Sequence, residues 1–195
     1  MKLAIIVGAT RTNRLTLKQA KWVLNEAKQM DGVEAKLVDL KDYPMPFFNE
    51  PASPRYNPNR EIDPAVKPWL KELEDADAYV FVTPEYNHSI SGVLKNALDY
   101  VTSEFNRKPA TVVSHGSVGG ARATMHLKEI LSESRAVIIP QQVAFLGLHD
   151  GVNDEGVLGE ELKANPYGPQ TALKGALSEL KWFSDALAKA RSATS

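Results

Sequence analysis

AYVFVTPEYNHSISGVLKNAL, residues 78–98, is the stretch on which the fold turns. AYVFV is a short run of aromatic and β-branched residues with no polar break, the pattern of a strand buried on both faces. Thr83 and Pro84 close it, and residues 91–104 read as a helix, with Val93, Leu94, Ala97 and Leu98 at helical spacing. Ser89 or Ser91 is placed to cap that helix. Between strand and helix stand a carboxylate, an aromatic ring, an amide and an imidazole, Glu85, Tyr86, Asn87 and His88. A plain turn needs only Gly, Asn or Asp. So much chemistry at the exit of a buried strand reads as an edge that faces a ligand.

The same strand-then-helix unit recurs in both directions. Upstream, residues 2–9 form an apolar run closed by a turn, residues 15–30 carry Leu17, Ala20, Leu24 and Ala27 on one helical face, and residues 33–40 read as a second strand. Gly32 stands where a helix C-terminus favours it. Residues 63–75 read as a helix with Pro64 near its start, although Pro68 lies inside the pattern and favours a later beginning. Downstream, ATVVSHG (110–116) is a fourth strand, 119–134 a helix, AVIIPQQVAF (136–145) a fifth strand and 171–191 a closing helix. Two long loops interrupt the alternation, at 41–60, which holds five of the chain's twelve prolines, and at 147–168. A loop of that length is commonly functional.

Five strands alternating with five helices predict an α/β fold, a parallel sheet with helices on both faces. No repeat or linker divides the chain, so residues 1–195 are expected to form one domain. The six-stranded dinucleotide fold calls for G-x-G-x-x-G after the first strand, and the turn here, GATRTNR, has a single glycine. The expected architecture is therefore a flavodoxin-like three-layer sandwich with a five-stranded parallel sheet in the order 2-1-3-4-5. Its ligand crevice lies at the C-terminal ends of the strands, where the order reverses.

In that order the turns after strands one, three and four share the crevice: GATRTNRLT, TPEYNHSISG and SHGSVGGAR. The first brings the hydroxyls of Thr10, Thr12 and Thr16, the guanidiniums of Arg11 and Arg14, and the free N–H groups of a helix start, a combination suited to phosphate. The competing reading is a threonine that caps the helix beside two solvated arginines. The third turn has Gly116, Gly119 and Gly120, which let a backbone approach a flat ligand closely, or simply make a flexible turn. His88 and His115 sit in crevice turns, His126 inside a helix pattern, and the four histidines, His149 included, do not have a metal-binding spacing. Asp39, ending the second strand, is at the position of a ribose-binding acid, but the glycine fingerprint that would go with it is absent. There is no nucleophile elbow around Ser117, no catalytic side-chain set and no metal site. A crevice furnished for binding, with no acid–base–nucleophile set, suits a cofactor that brings its own chemistry.

Composition narrows the partners. Lys plus Arg is 23 against Asp plus Glu 24, a net charge of −1, so no basic field awaits nucleic acid, and no acidic surface marks a carrier that docks by charge. With 43% hydrophobic residues, a chain of 195 is long enough to bury roughly 70% of its unfolded surface. No cysteine is present, which excludes disulfides, thiolate metal sites and cysteine nucleophiles. No apolar run reaches the ~18 residues of a membrane span, and the N-terminal run is too brief for a signal peptide. A soluble, cytoplasmic protein with no membrane or nucleic-acid partner is the expectation.

GATR after the first strand, PEYNHSISGVLKNALDYV and GGARATMHLKEIL resemble the NAD(P)H-dependent FMN reductases, a flavodoxin-like family that includes azo, quinone and chromate reductases. The resemblance covers about the first 145 residues. It implies FMN as cofactor, NADPH or NADH as hydride donor, a small-molecule electron acceptor, and a homodimer or homotetramer with sites near the subunit interface. By the same likeness Thr10, Arg11, Arg14, Leu15 and Thr16 hold the FMN phosphate. Pro84, Glu85, Tyr86 and Asn87 line the isoalloxazine and ribityl side, and Ser114, His115, Gly116, Ser117, Gly119 and Gly120 cover the pyrimidine edge. The family commonly has Ser at Ala9 and Ser and Asn at Arg14 and Thr16, so Arg14 supplies charge in place of a hydroxyl. The implied reaction is ping-pong, with hydride passing through flavin N5 and no side chain needed as proton carrier. The loop at 41–60, with Tyr43, Phe47 and Phe48, either shapes the acceptor pocket or is simply anchored by those rings. A flavodoxin-type electron carrier and a flavin-binding regulatory protein are the alternatives on the same fold.

Overall fold

A computed structural model describes residues 1–147 and 151–193; His149 lies outside the described residues. The strands are β1 (Lys2–Val7), β2 (Glu34–Asp39), β3 (Ala78–Pro84), β4 (Pro109–Gly116), β5 (Val137–Ile138) and β6 (Val143–Leu146). The helices are α1 (Leu15–Ala27), α2 (Lys67–Asp75), α3 (Gly92–Asp99), α4 (Ala121–Glu133), α5 (Glu160–Ala164) and α6 (Pro169–Ser192). The sheet runs β2-β1-β3-β4-β5, all parallel, which is the expected flavodoxin-like order.

Both faces of the sheet are buried, and the alternation along each strand shows how. Ala4 and Ile6 of β1, Tyr79 and Phe81 of β3, and Ala110 and Val112 of β4 pack on α2, α3 and α4 through Trp69, Leu73, Leu94 and Leu127. Leu3, Ile5 and Val7, then Ala78, Val80 and Val82, then Val113 face α1 and α6 through Trp22, Val23, Leu173 and Leu177. Each large side chain removed from water in this way contributes about 1.5–3 kcal/mol. The continuous hydrophobicity of AYVFV is thus two alternating sets superimposed.

Four expectations need correction. The fifth strand is two: β5 pairs with Pro109 and Ala110, and β6 with Val113–Gly116, so six strands form the sheet. Pro140 has no N–H to donate to the ladder, and at the break Thr111 Oγ1 donates instead to the Gln141 carbonyl at 2.6 Å. The predicted helix at 91–104 ends at Asp99 and α1 ends at Ala27, whereas α2 has the later start that Pro68 favours, at Lys67, after a turn in which Asp63 Oδ1 accepts from Ala65 N. The stretch 147–168 is not an unstructured loop: it contains α5 and a bridge between Val152 and Leu158.

The loop at 41–60 is tied down along its length. Tyr43 meets Trp69 edge-on at 6.3 Å and Phe48 meets Tyr100 at 5.2 Å. Asn96 Oδ1 accepts from Phe48 N, and its Nδ2 donates to the Pro46 carbonyl, both at 2.8 Å. Arg60 is paired with Glu50 at 2.7 Å and donates to Thr102 and the Tyr100 carbonyl. Tyr43 and Phe48 are therefore anchors, whereas Phe47 is 86% exposed.

Candidate active site

The crevice begins with a tight turn after β1. A Cβ on Gly8 would lie 2.9 Å from both Leu94 Cδ2 and the Val82 carbonyl, so the chain can cross there only as glycine. Ser91 Oγ donates to the Gly8 carbonyl at 2.5 Å and also accepts from Leu94 N at 3.2 Å, capping α3 and tying the first turn to it. Asn13 adopts a left-handed conformation, φ 53°, and Arg14 is the N-cap of α1. No side chain caps that helix, so the threonine-cap reading of this turn does not hold and the first N–H groups of α1 stay open.

The second turn is a two-residue hairpin. Tyr86 and Ser89 exchange both backbone hydrogen bonds, at 2.9 and 3.0 Å, around Asn87 and His88, with φ of 48° and 66°. Two successive left-handed residues make the type I′ geometry, in which Asn is favoured. Glu85 is committed elsewhere: its carboxylate accepts from Arg122 Nη1 and Arg122 N, both at 2.9 Å. The side chain is 6% exposed, and it serves as the cap that α4 lacks at Gly120. Burial pushes the Glu85 carboxyl up, but the bonds from Arg122 and Ala123 outweigh it and hold it below the ordinary range.

The third turn supports the second. Ser114 Oγ donates to the Gly119 carbonyl at 2.7 Å and accepts from Thr124 Oγ1 at 2.9 Å. Gly120 is left-handed, φ +74°, and a Cβ there would meet Ser114 Cβ at 2.7 Å. His115 is buried, with Nδ1 2.7 Å from Gln19 Oε1 on α1, and burial lowers its pKa from 6.5 to about 4.

These turns enclose a cavity of about 340 Å³. Of the expected site residues, Arg11, Arg14, Leu15, Thr16, Pro84, Glu85, Tyr86, His115 and Gly116 line it, joined by Thr12 and Asn13. Ser114, Asn87, Ser117, Gly119 and Gly120 are not on its wall. Ser114 is buried in the α4 junction, and Ser117 and Asn87 are exposed. Thr10 lies on a neighbouring cavity of about 270 Å³, bordered by Tyr43, Met45, Phe47, Val93 and Asn96.

Two features of the wall bear on what it holds. Thr16 Oγ1 and Arg14 Nε are buried and have no partner. Arg14 is not a free cation, since its Nη2 is paired with Asp39, and Asp39 Oδ1 accepts from Lys41 N at 3.0 Å. Arg11 is exposed and stands over the Tyr86 ring at 5.5 Å. A buried hydroxyl and guanidinium nitrogen left unsatisfied, beside uncapped helix N–H groups, fit an anion with several acceptor oxygens. A phosphomonoester such as that of FMN meets the requirement. Gln19, Asp39 and Arg122 are the site-supporting residues that pattern reading missed or discounted. Asp39 was visible as the acid ending the second strand, and Gln19 as a residue one helical turn beyond Thr16 on the same face.

The fold is thus a doubly wound α/β sheet with an open helix start and unpartnered buried polar atoms at its switch point. Residues 1–150 match the sequence profile of the family described as NADPH-dependent FMN reductase, and the chain belongs to that family. It is accordingly a flavin-dependent NAD(P)H oxidoreductase. It is 34% identical to an NAD(P)H-dependent FMN reductase of Schizosaccharomyces pombe, over 84% of this chain and 86% of the relative. It is 36% identical to an NADPH azoreductase of a Bacillus species (strain OY1-2), over 93% of this chain and 95% of the other. Among solved structures it is similar to FerB, a flavoenzyme NAD(P)H:(acceptor) oxidoreductase from Paracoccus denitrificans. There the TM-score is 0.70 at 26% identity, covering 96% of this chain and 97% of that one.

Proposed function

We propose that the crevice binds FMN with its phosphate at the start of α1 and that the chain reduces a quinone, azo compound, free flavin or similar small acceptor at the expense of NAD(P)H. The observation that carries this reading is the pair of unpartnered buried atoms, Thr16 Oγ1 and Arg14 Nε, beside the uncapped helix start. Arg11, Arg14 and Thr16 hold the phosphate, with Leu15 and the α1 N–H groups. Pro84 and Tyr86 form one wall of the cofactor channel, and His115 and Gly116 form its floor. Asn87 and His88 make no backbone hydrogen bond through their own N–H groups within the hairpin, which leaves those donors available to the flavin ring. Ser114, Gly119 and Gly120 act by shaping the α4 junction, and Glu85 by clamping it. FMN held by these residues would supply the redox chemistry, hydride transfer from NAD(P)H to the acceptor in ping-pong order. Phe47, standing clear of its anchored loop, together with Tyr43 and Val93, lines the adjoining cavity that suits the acceptor.

The protein as a single domain of 195 residues, acting in the cytoplasm, completes the reading. No helix among the described residues is long and apolar enough to cross a membrane. Phe47 and Val93, which border the adjoining cavity, are exposed, in keeping with a homodimer or homotetramer whose sites lie near the interface. Light scattering on the purified protein checks that part, and a monomer at micromolar concentration refutes it. For the activity, the protein is examined for a flavin spectrum and then given NADPH under anaerobic conditions. Bleaching followed by recolouring with a quinone is the expected result. FMN that binds and is not bleached points to a carrier or sensor, and a protein that binds no FMN removes the proposal.

A further inference from the structure

Gln19 and His115 are 96 positions apart, yet they meet at 2.7 Å inside the crevice wall, with Gln19 only 3% exposed and His115 7%. The amide presents its oxygen, Oε1, to Nδ1. An amide oxygen only accepts, so Nδ1 must carry the hydrogen. The other ring nitrogen, Nε2, is then a bare acceptor. It has no protein partner among the described residues, and it is not among the polar atoms sealed from solvent without one. Burial keeps the imidazole neutral, with a pKa of about 4. Gln19 stands one turn beyond Thr16 on α1, and the imidazole it holds lines the same cavity as the cradle's unpartnered hydroxyl.

An acceptor at that place cannot serve the phosphate, whose ionised oxygens are themselves acceptors. It suits a hydroxyl. We propose that Gln19 locks His115 in the Nδ1–H tautomer so that Nε2 accepts a hydrogen bond from a hydroxyl of the polyol chain next to the phosphate. His115 is thereby a cofactor-binding residue that reads the sugar portion, and Gln19 is its positioning residue. This rests on FMN occupying the crevice.

Two measurements separate the inference from that premise. Long-range proton–nitrogen NMR of the full chain, without flavin, is expected to show His115 with a protonated Nδ1; a protonated Nε2 overturns the lock whatever the protein binds. The second measurement titrates the protein with FMN and with riboflavin, following quenching of flavin fluorescence. His115→Leu is expected to weaken both ligands by the same factor, about five-fold for one neutral hydrogen bond. A loss confined to FMN makes His115 a phosphate contact, and no loss for either makes it purely structural; each result overturns the proposal. Gln19→Met, which keeps the imidazole but frees it, is expected to populate both tautomers and to weaken both ligands about two-fold. It answers the question independently if His115→Leu does not fold. Wild-type protein that binds neither flavin defeats the FMN reading itself and leaves the tautomer result standing.

Discussion

Thr16 presents a residue-scale conflict between stability and binding. Its hydroxyl is buried without a partner, which costs the ligand-free protein about 1–3 kcal/mol. Thr16→Val keeps the shape and removes the orphaned group. It is expected to stabilise the flavin-free protein by about 1 kcal/mol in urea titration and to weaken FMN binding in the same preparation. Destabilisation with unchanged affinity would take Thr16 out of the cradle. Arg11, stacked on Tyr86 and exposed, is the more accessible cation of the proposed cradle, because Arg14 is tied to Asp39 through Nη2 and keeps Nε for the ligand. Arg11→Ala is expected to cost about 1.5–3 kcal/mol of FMN affinity, the worth of a charge-assisted hydrogen bond. An equal affinity measured by fluorescence titration would assign the phosphate elsewhere. The polar character of the first turn was legible in GATRTNRLT because composition and the topological rule pointed the same way. The division of labour between its two arginines was not legible, since Asp39 lies 25 positions beyond Arg14 and no spacing rule joins them.

At the scale of elements, Glu85 fastens the β3 turn to the start of α4. Glu85→Ala removes the carboxylate that caps that helix and leaves Arg122 without its ion-pair partner, so a loss of about 1–2 kcal/mol is expected in thermal or urea unfolding. Gly120→Ala strikes the same junction from the other side. Its left-handed φ and the 2.7 Å approach to Ser114 Cβ leave no room for a methyl group, and a loss of at least about 1 kcal/mol is expected. A neutral result would mean that the junction shifts freely. In sequence, PEYN read as a cluster of ligand groups, and in the fold it divides: Pro84 and Tyr86 face the cavity, while the Glu85 side chain braces the helix behind it. That division depends on a partner 37 positions away. Strands β1, β3 and β4 were legible because double burial writes an unbroken apolar run. The fifth was misread as continuous, since AVIIPQQVAF keeps strand-like residues on both sides of Pro140.

For the whole molecule, the buried imidazole makes stability depend on acidity. His115 has a pKa of about 4 when folded against 6.5 ordinarily, so on acidification the unfolded chain takes up its proton first. The contribution is complete above pH 6.5 and is lost as pH falls towards about 4, an effect of about 3 kcal/mol. Glu85 adds a second loss at lower pH, as its depressed carboxyl is protonated below its ordinary value of 4.5. Urea unfolding at about pH 7 and about pH 5 is expected to show the first decline in the wild type and a much flatter response in His115→Leu. Equal slopes in the two proteins would show that folding does not shift the pKa of the imidazole.

The interruption at Pro140 also governs how copies of the molecule can meet. An open sheet ends in rows of unsatisfied amides, and a long straight margin invites another chain to add itself as the next strand. Here one margin is divided into pieces of two and four residues by a proline. The opposite margin, β2, presents Lys36, whose ammonium is engaged by Glu72 at 2.6 Å. The divided rim is a poor template for a further strand, which works against open-ended growth into a fibre along that margin.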